Sequence, residues 1–171
     1  MDPAAIYGEL YGRIPPLARS AVDGLDADGL AWVPTHGSNS IAWLVWHCAR
    51  LQDHHISELL ATEQLWVADG WAQRFAMPPD PDDMGYGHTP QQAAAIHPDD
   101  PDLLLDYLAT AHKRTEGLVR GVTADSLDRI VDRRWDPHVT LGVRLVSVAD
   151  DCLQHMGQAA YLRGMLAFGG T

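Results

Sequence analysis

The chain reads as an all-α protein, a four-helix bundle with one long crossover between its second and third helices. Three observations predict it. Four segments carry apolar residues at three- and four-residue spacing. Good capping residues precede the second and fourth of them. A Pro-, Asp- and Gly-rich stretch separates the second from the third, as a crossover would. The first helix covers about Ala4 to Val22, with Ile6, Leu10, Leu17 and Val22 apolar and Pro15-Pro16 breaking it or starting a second piece. The second opens after Ser38-Asn39-Ser40, places Ile41, Leu44, Cys48, Leu51 and Leu59 on one side, and runs to about Ala61. Thr62 to Asp100 form the crossover, with a short helix possible after Thr89-Pro90; it reads as a surface crossing or as a lid over one end of the bundle. The third helix, about Pro101 to Val122, shows Leu104, Leu108, Ala111, Leu118 and Val122 on one face. An irregular segment, DRIVDRRWDPHV, leaves room for a short extended piece. The fourth helix takes Thr140 as its N-cap and stops near Phe168-Gly169-Gly170.

Composition narrows the function classes. A chain of 171 residues suits one domain spanning its whole length. No apolar run approaches the roughly 18 residues of a membrane span. The N-terminus lacks the basic and apolar regions of a signal peptide. With only Cys48 and Cys152 there is no disulfide framework, so a reducing cytoplasm is expected. A net charge of -11 argues against nucleic acid and anionic membrane surfaces as partners. Lys113 is the only lysine, and Ala, Gly, Asp and Pro are plentiful, a bias of GC-rich genomes such as those of actinobacteria.

Three polar residues stand on stripes that are otherwise apolar. His47 lies between Leu44 and Leu51 on the second helix; Asp151 and His155 share a stripe with Val148 and Leu162 on the fourth. Two buried imidazoles and a buried carboxylate would cost on the order of several kcal/mol unless satisfied. The four-residue spacing of Asp151 and His155 lets both reach one ion, and bundle cores readily assemble sites from facing helices. Spacing alone leaves two readings open: a metal held by His47, Asp151 and His155, or an Asp–His pair beside an unrelated core histidine. The HExxH pattern of zinc proteases is absent. Three protein ligands would leave coordination positions open, as catalytic rather than structural sites do.

The segments NSIAWLVWHCARLQDHH and DDCLQHMGQAAYLRG resemble the DinB-like superfamily of metal-binding four-helix bundles. The resemblance is stronger to its actinobacterial mycothiol-dependent branch, which includes mycothiol-dependent maleylpyruvate isomerase and mycothiol transferases. It runs over essentially the whole chain and is carried by Trp46-His47 with Arg50, by His155 with Gly157-Gln158, and by GSNSIAW, DGWAQRF and VTLGVRL. It implies His47, Asp151 and His155 as metal ligands, zinc as the first-choice ion with nickel, manganese or iron as alternatives, and mycothiol as cosubstrate. Many DinB-like proteins have His where this chain has Asp151, and the maleylpyruvate isomerase has Glu, one methylene longer.

An open metal site lowers the pKa of a bound thiol. The implied activity is therefore transfer of mycothiol to a small electrophile, or isomerisation by thiol addition, with no protein nucleophile. Arg50 and His54 share the general face of His47 and are candidates to meet the thiol or substrate, while Gln158 is a candidate to orient His155. Cys48 and Cys152 each follow a proposed ligand by one, a rotation of about 100°, which places them in the core. His36, His88, His97, His112 and His138 show no metal-binding spacing, and the six tryptophans read mostly as packing residues. Two other classes stay open: a non-enzymatic stress or binding bundle, and a non-haem iron oxygenase using two His and one carboxylate. A homodimer through an exposed helix face is also compatible, although no apolar seam marks one.

Overall fold

A computed structural model describes residues 2–168 and is dominated by helices, with one two-stranded hairpin among the described residues. Gly169 and Gly170, expected to stop the last helix, lie outside the described residues. The first arm of the bundle is split. Helix α1 (Pro3–Gly12) is capped by the Asp2 carboxylate, which accepts from the Ala5 amide at 2.8 Å, and α2 (Ile14–Val22) restarts with prolines in its first turn. The buried face differs from the expected one: Ile6 and Leu17 are exposed, and Tyr7, Tyr11, Ile14, Ala18 and Ala21 point inward. The two tyrosines can be buried because their hydroxyls donate to the carbonyls of Gly142 and Leu145, at 3.3 and 2.8 Å.

After the one-turn α3 (Ala27–Ala31), Ser40 caps α4 (Ile41–Leu60), with its hydroxyl accepting from the Trp43 amide at 3.2 Å. Helix α4 is buried continuously from Ile41 to Asp53, so it is a central rather than an amphipathic helix. It packs chiefly against α8 (Pro101–Val119) and α10 (Leu141–Phe168). Cys48 and Cys152 meet at the α4–α10 contact, each thiol donating to the other residue's backbone carbonyl at 3.7 Å.

The crossover contains three short helices, α5 (Leu65–Ala68), α6 (Trp71–Arg74) and α7 (Pro90–Ala94). Two buried charges of α4 fasten it. The Asp53 carboxylate accepts from the amides of Leu65 and Trp66, at 2.8 and 2.7 Å, and so caps α5 from a distance, while the Tyr107 hydroxyl and Ser57 supply further donors. Arg50 binds the part of the crossover between residues 80 and 83 through its guanidinium. Helix α9 (Ala124–Leu127) precedes strands β1 (Ile130–Asp132) and β2 (Val139–Thr140), an antiparallel pair where the sequence allowed a short extended segment. The Thr140 hydroxyl accepts from the Val143 amide at 3.3 Å and opens α10. Among the described residues no helix is long and apolar enough to cross a membrane.

Candidate metal centre

Leu44 with Gly157, Gln158, Tyr161 and Leu162 lies around one end of a groove between α4 and α10, and His54, His55 and Arg144 around the other, so the two helices run antiparallel. The midpoint of that groove brings His47, Asp151 and His155 together, with one ligand atom from each lying within 4.8 Å of the others. The Asp151 Oδ1 is 3.2 Å from His47 Nε2 and 3.3 Å from His155 Nε2. Burial departs from the expectation of a fully enclosed trio. The His47 side chain is 3% exposed, but those of Asp151 and His155 are 26% and 20% exposed. These two project into the groove rather than into the core, so the trio is open on one side.

Each imidazole is oriented through its other nitrogen. The Nδ1 of His47 contacts the Met84 carbonyl, a pure acceptor, so Nδ1 carries the hydrogen. The Nδ1 of His155 donates to Gln158 Oε1 at 2.9 Å for the same reason. The Nε2 of each ring is therefore the atom turned toward the Asp151 carboxylate, able to ligate a metal when unprotonated and to donate to the carboxylate when protonated. Two imidazole nitrogens and a carboxylate oxygen thus converge on one point, a donor set that either a proton on a ring or a shared cation satisfies. Burial by itself would raise the Asp151 pKa, yet the hydrogen bond and charge of His47, the charge of His155 and the Tyr86 phenol outweigh it and hold the carboxyl below its ordinary value. An ionised carboxylate and two imidazole nitrogens fit a divalent transition-metal ion.

Trp43, one turn before His47, stacks on it with ring centroids 4.8 Å apart and meets the edge of His155 at 5.8 Å. Its indole nitrogen donates to His88 Nδ1 at 3.2 Å, and His88 Nε2 donates to Asp83 at 2.8 Å. Gly85 makes the close approach possible. Its φ is +98°, and a Cβ there would lie 2.8 Å from Trp43 Cζ2. Tyr86 follows, 71% exposed, with its ring edge-on to His47 at 5.8 Å and its phenol reaching Asp151. Sequence reading missed this brace. Met84 acts through a carbonyl, which leaves no trace in side-chain type, whereas Trp43 was detectable from its four-residue spacing to His47.

The three remaining candidates fall differently. Gln158 sits against His155, as described. His54 lies near the groove, its Nδ1 close to the Pro81 carbonyl and the Gln64 amide, both at 3.1 Å. Arg50 does not face the groove. It is fully buried, with bonds to the carbonyls of Asp83, Pro81 and Asp80 and to Gln64 and Tyr107, and it lies over the Trp66 ring at 4.8 Å. Its candidacy as a thiol- or substrate-binding residue is therefore corrected: its charge fastens the crossover.

Two cavities open beside the trio. One, of about 570 Å³, is lined by Ser38, Asn39, Gln154, Gln158 and Tyr161 among others and carries no ionised side chain. The second, of about 580 Å³, lies between the far half of α4 and the hairpin and contains His54, His55, Tyr86, Arg134, Trp135 and Arg144. Trp135 is an exception to the packing role expected of the tryptophans, being 65% exposed. His54, His55 and Glu58 also offer ligand atoms to one point, but Arg134 already binds Glu58 at 3.0 Å.

Fold and site together define a DinB-like helical bundle with three candidate metal ligands in an interhelical groove. The chain belongs to the mycothiol-S-transferase family, whose family model matches residues 17–167. It is also similar to a solved structure, described as a conserved protein from Enterococcus faecalis, with 32% identity over 99% of each chain and a TM-score of 0.90. Among curated proteins there is no match.

Proposed function

We propose that this protein is a divalent-metal-dependent mycothiol S-transferase in which His47, Asp151 and His155 hold the ion, zinc being the first candidate. The observation that carries the reading is the convergence of two imidazole Nε2 atoms on a carboxylate, with both Nδ1 atoms already committed to protein acceptors. A divalent ion bound there would lower the pKa of a thiol and so provide a thiolate at neutral pH. The chain's own residues do the positioning. The Met84 carbonyl and Trp43 fix the His47 ring, Gln158 fixes His155, and Tyr86 covers Asp151 from the crossover side. In the transfer, the thiol sulfur bonds to a carbon of the electrophile, the leaving group departs with the bonding pair, and the thiol proton passes to solvent. No protein side chain needs to act as the nucleophile.

The test combines elemental analysis of the purified protein with turnover of mycothiol and a panel of electrophiles. One equivalent of transition metal and metal-dependent loss of the free thiol are expected, both absent in His47→Ala and His155→Ala. Full metal content in either variant would sink the ligand assignment. Unchanged turnover after exhaustive chelation would sink the metal dependence.

A further inference from the structure

The two cavities beside the trio have opposite characters. The first offers amides and hydroxyls without charge, which suits mycothiol, an uncharged thiol rich in hydroxyl groups. The second is walled by two exposed aromatic rings, Tyr86 and Trp135, over a floor in which two arginines, Arg134 and Arg144, face one carboxylate, Asp132. Arg144 gives Nη2 to Asp132 at 2.7 Å, and its other guanidinium donors have no protein partner among the described residues. Arg134 holds the same Asp132 through Nε and Nη2. Two arginines thus share one carboxylate within the cavity lining. A cation is a poor occupant of this place, since these arginines would repel it and Glu58 is already paired.

We infer that this second cavity is the electrophile's subsite and selects a small planar substrate carrying a carboxylate. The inference rests on the proposed transferase function. The carboxylate meets Arg144 and His54, the flat body lies between Tyr86 and Trp135, and the reacting carbon points toward the trio. Arg144 precedes Asp151 by two helical turns on one face, about 10 Å along the axis, a span that a substituted benzoate bridges.

The experiment uses metal-loaded full-length protein, mycothiol, and two electrophiles: 4-(chloromethyl)benzoate and its uncharged analogue 4-methylbenzyl chloride. In each, a C–S bond forms, the C–Cl bond breaks, chloride leaves with the electron pair and the thiol proton goes to solvent. We expect kcat/KM to favour the carboxylate by roughly tenfold or more, as one charge-assisted hydrogen-bonded contact provides. The ratio should fall toward one in Arg144→Gln and be partly restored in Arg144→Lys. Trp135→Ala, an exposed position safe for folding, should raise KM for both. The unreactive 4-methylbenzoate should compete with the electrophile. No preference in the wild type, or competition by 4-methylbenzoate against mycothiol instead, overturns the inference. If neither electrophile is turned over, the transferase reading has failed separately, and calorimetry of 4-methylbenzoate decides the subsite. Binding lost in Arg144→Gln upholds the inference; no binding to the wild type overturns it.

Discussion

Replacing Arg50 by methionine would separate a fastening role from a substrate-binding one. The methionine fills much of the volume but removes every polar contact of a guanidinium that no solvent reaches. It would orphan the carbonyls of Asp80 and Asp83, remove a partner from the Pro81 carbonyl, Gln64 and Tyr107, and leave Asp53 with Arg114 as the one remaining partner of its two ion pairs at 3.6 Å. Asp53 retains Arg114 and its bonds to two amides, Ser57 and Tyr107, which places the loss toward the low end of the range for a broken buried pair. Removing one partner of a buried pair costs about 3–5 kcal/mol. At roughly 2–4 °C per kcal/mol for a chain of this length, Tm should fall by about 6–20 °C. Arg50→Lys keeps the charge but cannot span the same acceptors, and should lie between the two. Thermal unfolding followed by circular dichroism reads the stability, and steady-state kinetics on the folded fraction reads KM for the thiol. A Tm within about 2 °C of the wild type together with a raised KM would refute the fastening role.

Three further outcomes follow from the same geometry. Gln158→Ala removes the acceptor of His155 Nδ1 and should weaken metal affinity about 10- to 100-fold with little change in Tm of the metal-free protein; competition with a chromophoric chelator measures it, and unchanged affinity rejects the orienting role. Gly85→Ala forces a side chain into left-handed backbone against Trp43 and should cost about 1–3 kcal/mol in urea unfolding; a neutral effect would show that the crossover is not seated as described. His55 has its pKa lowered to about 3 by burial first and then by neighbouring positive charge. Its unfolded value is about 6.5, so the unfolded chain gains a proton that the folded one refuses. The contribution is complete above about pH 6.5 and is lost as pH falls toward 3. His55→Gln should flatten this dependence by up to about 1.4 kcal/mol per pH unit, measured by urea unfolding with chelator present; identical slopes would refute it.

The long helices were legible because their periodicity and caps agree: Ser40 and Thr140 each accept the hydrogen bond that their position predicts. The inner face of the first arm was misread because Tyr7 and Tyr11 look amphipathic until the distant carbonyls that take their hydroxyls are known. The trio was visible as three misplaced polar residues, though its openness was not. Helix spacing tells which face a residue shares but not whether another element covers that face. Arg50 illustrates the deeper limit. At three residues from His47 it suggested the site, but a rotation of about 300° and a long side chain carry it instead to the crossover carbonyls. Those carbonyls lie in a segment without periodicity, so no pattern announced them.

A centre of the proposed kind, holding a small reactive thiol, would raise the problem of the protein's own sulfur. Cys48 and Cys152 adjoin two of the proposed ligands in sequence, close enough to intercept an electrophile or form mixed disulfides if they were free to react. Both are fully buried, and burial pushes the Cys48 thiol well above its ordinary pKa. Thiol–disulfide exchange requires a thiolate and a line of approach. Cys48 lacks both, and Cys152 lacks the approach. The contact that joins α4 to α10 thereby also keeps both thiols out of the proposed chemistry, so turnover of that kind would not consume the catalyst.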